Sequence, residues 1–131
     1  MTPRRFGAAA VEFAIVAPLF LLFIFGVVEF GRVMLVKNVV TNASREAARV
    51  AIVEGANSTQ VSAVADEYCA ASSVTEVEVL ISPLDLSTAT PETPITVTVR
   101  VNFDSVSLFP TPAILKDLSF SGSTTMRKER F

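Results

Sequence analysis

An uninterrupted apolar run near the N-terminus limits what this chain can fold into. Residues 8–28 are 21 positions with one ionisable side chain, that of Glu12. At a rise of about 1.5 Å per residue they form about 31 Å of helix, enough to cross the hydrocarbon core of a bilayer. A surface helix of a soluble domain carries a polar face, and this run has none. The sequence therefore predicts a membrane-spanning helix over about residues 8–28.

Two other kinds of helix have a similar composition. A helix buried in a globular core is disfavoured, because few chains of 131 residues enclose so apolar a helix completely. A cleaved secretory signal peptide fits Arg4 and Arg5 followed by an apolar core. However, the residues after Phe25 lack a small-x-small cleavage pattern, and the helical pattern continues past Arg32. We therefore expect the helix to be retained.

Glu12 is unusual in this setting, because a carboxylate at mid-bilayer costs about 2.5–3.5 kcal/mol. A position in the first helical turns, where the helix dipole favours negative charge, explains why it is tolerated. It does not explain the spacing. Gly7 lies five residues before Glu12, directly behind the basic residues Arg4 and Arg5 and ahead of the apolar run.

This order of residues resembles the class III signal of type IV pilin-like proteins. It comprises a basic leader, Gly7, four small or apolar residues, Glu12, Phe13 and an apolar helix. The longer run GAAAVEFAIVAPLFLLFIFGVVEFGR, followed by TNASREAAR, resembles the TadE-like minor pilins (pseudopilins) of tight-adherence (Tad/Flp) type IV pilus systems. The resemblance is specific over about residues 4–54 and extends to the rest only as a general layout.

The resemblance implies a function and a processing site. A prepilin peptidase would cut between Gly7 and Ala8, removing the leader, residues 1–7. Glu12 would then be the fifth residue of the mature chain and would pair with the freed amine of a neighbouring subunit, with Phe13 beside it where related pilins often carry Tyr. The implied partners are other pilin or pseudopilin subunits, the prepilin peptidase, the inner-membrane assembly platform and membrane lipid.

The charges around the span and the resemblance disagree about orientation. Arg4 and Arg5 precede the span, whereas four basic residues follow it by position 49. By the positive-inside rule alone, that count favours a cytoplasmic C-terminal domain. The resemblance implies a single-pass protein of the bacterial inner membrane whose C-terminal domain is periplasmic or extracellular, or is incorporated in a pilus. We adopt the orientation that the resemblance implies.

The remaining residues predict a pilin-like α+β fold. We expect the first helix to extend over residues 8–54, and a small domain to occupy residues 55–131. After residue 54, Asn57 or Ser58 is suited to cap a second helix. Alternating apolar and polar residues then predict an antiparallel three-stranded sheet with one wet face. The expected strands are residues 74–82, 95–103 and 118–126.

Two connections differ in character. Residues 83–94 are a polar loop with three prolines. Residues 104–117 are apolar, and such a loop either covers the edge of the sheet or forms a contact patch for a partner. The candidate contact residues in it are Phe109, Ile114 and Leu115.

The composition argues against several classes of function. Histidine is absent, which removes the commonest general base and metal ligand, and Cys69 is the single cysteine. Residues 50–126 carry nine acidic and two basic side chains, which argues against nucleic acid as a partner. Glu76 and Glu78 are interpreted as a solvated strand face. We expect no enzyme activity, no cofactor and no metal.

The alternative to a pilin-like subunit is an uncleaved, signal-anchored envelope protein that binds a partner or ligand through residues 104–117.

Overall fold

The computed structural model describes residues 4–108 and 118–128. It confirms the α+β fold class, with a long apolar N-terminal helix, a second helix and a three-stranded antiparallel sheet. The chain divides into two compact units, Met1–Val33 and Met34–Phe131.

The first unit is the apolar part of helix α1, which runs over Arg4–Ala51 and contains Pro18. The stretch Gly7–Ala51 is long and apolar enough to cross a membrane, and no residue of its most apolar window is buried. Large side chains such as Phe13 and Leu22 are 73% and 70% exposed. In water such a surface is unfavourable, because each large apolar side chain left exposed forgoes about 1.5–3 kcal/mol.

In the second unit, α1 is amphipathic as its sequence predicts. Its inward face is fully buried and rich in small residues, whereas Asn38, Asn42, Arg45 and Arg49 are exposed. The helix ends at Ala51, three residues before the predicted end, and is followed by a turn in which Ala56 N–H donates to Val53 O. The inward face comprises Val36, Val40, Ala43, Ala47 and Ala51.

Helix α2 spans Ser58–Ala71 and begins with a capping box. The Asn57 side chain accepts from Gln60 N–H at 2.8 Å, and Gln60 Oε1 accepts from Asn57 N–H at 3.4 Å. These two bonds satisfy amide groups that a helix start otherwise leaves without partners. Val61, Ala65 and Cys69 form its buried stripe.

The sheet has the order β1-β2-β3, formed by β1 (Val77–Ser82), β2 (Pro94–Asn102) and β3 (Ser119–Arg127), all antiparallel. The first strand begins three residues later than predicted. Glu76 has a φ of 58°, outside the β region, and Val74 instead closes the end of α2 by donating to Cys69 O. A four-residue helix, α3 (Phe103–Val106), follows β2.

The two faces of the sheet differ as predicted. Side chains of β2 at alternate positions, Ile95 to Val101, are at most 1% exposed. On the opposite, wet face, hydroxyl pairs bridge β2 and β3: Thr96 with Thr125 at 2.8 Å and Thr98 with Ser123 at 2.9 Å.

Both long helices pack on the same, apolar face of the sheet. Ser44 of α1 is fully buried and its Oγ lies 2.8 Å from Thr124 Oγ1 of β3. Thr124 is paired with Val97, so its side chain shares the face of that residue. Helix α2 forms a groove with Val79 and other residues of β1 that belong to the same face. The core therefore lies between one helical layer and one sheet.

The segment between β1 and β2 was predicted to be a polar loop, but one of its apolar side chains is buried. Leu86 is 3% exposed, and Lys128 Nζ donates to Leu86 O at 2.9 Å and to Ala89 O at 3.0 Å. Asp85 accepts from the amide and the hydroxyl of Ser87. The two bonds from Lys128 fix the loop against the residue that follows β3, and the Asp85–Ser87 bonds stabilise the loop internally.

Candidate processing and assembly site

The four residues predicted for processing and assembly, Gly7, Ala8, Glu12 and Phe13, lie in the first turns of α1 and are exposed. A Cβ built on Gly7 would meet nothing within 4 Å. Glycine at this position is therefore not required by packing against the residues that the structure describes.

The helix places Ala8 and Glu12 on one face. They are separated by four residues, so they lie about one turn, or 6 Å, apart along the axis. Cleavage before Ala8 would replace its amide by an amine on the same face as the Glu12 carboxylate. Gly7 and Glu12, five residues apart, do not share a face in the same way.

The surface around Glu12 is otherwise apolar. Val11, Phe13, Ile15 and Val16 are between 54% and 73% exposed. In hydrocarbon, a carboxylate with such neighbours needs a cation or a donor from another molecule.

The second predicted contact region is only partly described. Phe109, Ile114 and Leu115 lie outside the described residues, so their role as partner contacts stays a prediction. At the start of this loop, Val106 is buried and the Phe103 ring packs edge-on against Phe120, with centroids 5.9 Å apart. The described beginning of the loop therefore packs against the sheet.

The described residues offer little for catalysis or metal binding. Among residues 4–108 and 118–128, no group of three or more His, Cys, Asp or Glu side chains is placed to hold a metal ion. Burial, together with the nearby Asp66 charge, raises the pKa of the Cys69 thiol to about 11. A thiol with so high a pKa is almost fully protonated at neutral pH and is a poor nucleophile.

Glu76 and Glu78 do not form a carboxylate pair on one strand. Glu76 lies outside β1, whereas Glu78 is exposed on the wet face with its Oε2 3.7 Å from Arg100 Nη1. The interpretation of Glu78 as part of a solvated face is consistent with this geometry. The expectation that both carboxylates share the strand is wrong, because the positive φ of Glu76 ends the strand before it.

Sequence reasoning missed Gly122, a residue on which the helix–sheet contact depends. A Cβ at this position would lie 2.6 Å from both the Cα and the N of Thr41 in α1. An isolated glycine inside a strand pattern is a known sign of close backbone approach. The sequence contained that signal, but the residue that approaches Gly122 is 81 positions away and has no signal of its own.

The N-terminal segment is similar to a known protein family. Residues 7–49 match the family model described as TadE-like protein. No curated protein and no solved structure matched the chain. The matched segment begins at Gly7, includes Glu12 and covers most of α1. The comparison confirms the resemblance seen in the sequence. The exposed apolar helix, together with this family, indicates a membrane-anchored protein. Over α1, this chain is similar to the TadE-like proteins of the Tad pilus system.

Proposed function

We propose that the chain is a minor pilin or pseudopilin subunit that assembles into, or primes, a tight-adherence type IV pilus. The observation that supports this most directly is the position of Gly7 and Glu12. They open an exposed apolar helix, and the match to the TadE-like family begins at that glycine.

Processing by a prepilin peptidase after Gly7 is the first part of the proposal. The peptide bond must be extended to enter a protease, so the first turns of α1 have to unwind locally. The first four N–H groups of a helix lack partners within it, and glycine is about 1 kcal/mol less favourable in a helix than alanine. Residues 4–7 therefore donate no amide hydrogen bond within the helix, and unwinding from Arg4 to Ala8 breaks mainly the bonds that their carbonyl groups accept.

Pairing of Glu12 with an amine is the second part. Removal of residues 1–7 creates an ammonium at Ala8, and two opposite charges in hydrocarbon relieve each other's burial cost only when they are closely paired. Within one chain the amine and the carboxylate are one turn apart. Between two chains, the same pairing would fix the axial register of neighbouring helices, with residues 13–28 forming the apolar contact.

The orientation and partners follow from this role. The leader would face the cytoplasm and the unit Met34–Phe131 the periplasm or the exterior. Partners would be other pilin or pseudopilin subunits, the peptidase, the assembly platform and lipid. TadE-like proteins are in general not enzymes, and the subunit would act as a substrate of the peptidase.

Two experiments on protein from the native host test this function. Intact-mass and N-terminal analysis should show a chain that begins at Ala8. Glu12→Ala should be processed but should fail to assemble, while Glu46→Ala, which removes an exposed acidic side chain further along α1, should assemble normally. A mature chain that retains Gly7, together with normal assembly of Glu12→Ala, would refute the proposal.

A further inference from the structure

The outward face of α1 in the second unit is basic. Asn38, Asn42, Arg45 and Arg49 are exposed at helical spacing, and we call these four residues the basic stripe. Arg45 Nη1 donates to Asn42 Oδ1 at 3.3 Å, and Arg49 lies 3.7 Å from Glu46. Both contacts are in solvent, where such pairs stabilise little. The two guanidinium groups are therefore available for a better partner.

The outward face of the neighbouring helix has the opposite charge. Ala63, Asp66, Glu67 and Ala70 of α2 are exposed, and we call these four residues the acidic face; Ala63 and Asp66 also border the groove between α2 and β1. Helix α2 contains no lysine or arginine. The flanking alanines are small, so a second helix can approach this face closely.

A chain of contacts places the two faces at similar levels along the helices. Thr41 lies against Gly122, which is paired with Val99, and Val99 is paired with Val79. Val79 and Asp66 line the same groove. Asp66 is therefore near the level of Thr41, and Arg45 is about one turn, or 6 Å, further along α1.

The directions of α1 and α2 reduce the offset of about 6 Å between the levels of Asp66 and Arg45. The contacts Thr41–Gly122 and Ser44–Thr124 occur in the same order along α1 and along β3, so α1 is parallel to β3. Because β1 and β3 are both antiparallel to β2, α1 is also parallel to β1. The short link from α2 to β1 makes α2 run the opposite way. Because side chains lean towards the N-terminus of their own helix, the arginines of α1 lean towards the level of Thr41 and the acids of α2 lean the other way. The two sets of charges therefore converge on one level.

We propose that this helical layer is an interface between two copies of the chain, in which the basic stripe of each copy contacts the acidic face of the other. A twofold axis parallel to α1 produces this arrangement. It places α1 of the first copy opposite α2 of the second, and α2 of the first copy opposite α1 of the second. Such an axis also keeps both chains running in the same direction, as two copies inserted in one membrane require.

Each ion pair contributes little to the free energy of association. A weak contact is sufficient to hold two copies together when both are confined to one membrane. Anchoring in one membrane raises the effective concentration of one copy for another without new contacts. The inference rests on the proposed membrane-anchored assembly role, which brings the copies together, but it does not need cleavage after Gly7.

Disulfide cross-linking of the full-length chain in membranes tests the interface. Two copies with tags of different size would be co-expressed, one with Asn42→Cys and one with Ala63→Cys. Mild oxidation should give a mixed-size dimer. The matched control pairs Asn42→Cys with Ser121→Cys, which is also exposed but lies on the wet face of the sheet. It should give no dimer, and Cys69, retained in every variant, is buried.

Charge exchange gives the sharper test. The double variant Arg45→Glu/Arg49→Glu in both copies should reduce the cross-link about tenfold, and so should Asp66→Lys/Glu67→Lys in both. Combining one copy of each variant restores opposite charges at both contacts and should restore the cross-link. A cross-link that is insensitive to the reversals, or is not restored by combining them, would overturn the interface.

The same samples separate this inference from the proposed function. Glu12→Ala should leave the Asn42–Ala63 cross-link intact while preventing assembly. Normal processing and Glu12-dependent assembly without the cross-link would overturn the interface alone.

Discussion

Gly122 shows how one missing side chain positions the largest helix of the domain. Its hydrogen faces the backbone of Thr41, and next to it Ser44 Oγ donates to Thr41 O at 2.8 Å while accepting from the Thr124 hydroxyl. The buried serine is thus satisfied in both roles, and the chain avoids the cost of an unpaired buried hydroxyl.

We expect Gly122→Ala to destabilise the domain by about 1–3 kcal/mol, because the added methyl group overlaps helix backbone and forces α1 and β3 apart. Thermal or urea unfolding of the full chain in detergent, followed by circular dichroism, measures this. Ser121→Ala, on the exposed side of the same strand, should change the stability by less than about 0.5 kcal/mol. Equal stability of the two variants would contradict the close approach.

Cys69 gives a prediction about pH. Burial and the charge of Asp66 raise the pKa of this thiol to about 11, so the folded protein should resist alkylation at pH 8 and react faster as the pH approaches 11. The raised value also means that its contribution to stability is complete below the pKa of the unfolded chain and is lost as the pH rises through about 11. Alkylation rates measured by mass spectrometry test this, with urea-unfolded protein as the control that reacts at pH 8.

At the scale of elements, hydrophobic periodicity predicted both long helices and all three strands. The buried face of α1 and the alternation of β2 follow directly from residue spacing. Element ends were less predictable, since they depend on backbone angles at single residues. Glu76 is an example, because its φ of 58° delays β1 and no property of glutamate predicts that angle. Close contacts such as Gly122 with Thr41 were missed because they join distant parts of the sequence.

The start of α2 was predictable in detail, and its energetic role can be measured. Asn57→Ala removes the side-chain acceptor of the Gln60 amide and should cost about 1 kcal/mol of stability. Thr59→Ala, exposed in the same turn without a capping bond of its own among the described contacts, is the control and should be nearly neutral. Unfolding curves for the two variants that coincide would show that the capping box contributes nothing.

At the scale of the whole molecule, an exposed apolar helix precedes a small acidic α+β domain. The sequence predicted the membrane segment from its length and composition, and residues 7–49 match the TadE-like family model. Orientation stays a prediction, because the basic residues after the span outnumber those before it and favour a cytoplasmic domain, whereas the resemblance implies the opposite. The candidate processing site was predictable residue by residue only through its resemblance to known signals, since Gly7 makes no packing contact with the described part of the chain that would mark it.

Protease accessibility tests the proposed orientation. A protease of broad specificity, added to spheroplasts at a concentration that degrades folded domains, should digest the unit Met34–Phe131. A cytoplasmic marker should stay intact in the same sample. A domain that is digested only after the inner membrane is dissolved would place it in the cytoplasm and would contradict the orientation.

The parallel course of α1 and β3 has a mechanical consequence. A force that pulls along α1 reaches the sheet through Gly122 and Ser44, and it acts along β3. The hydrogen bonds between β3 and β2 are perpendicular to that direction and extend over nine residue pairs. Tension would therefore load the whole ladder in shear, so that its bonds share the load instead of peeling apart one after another.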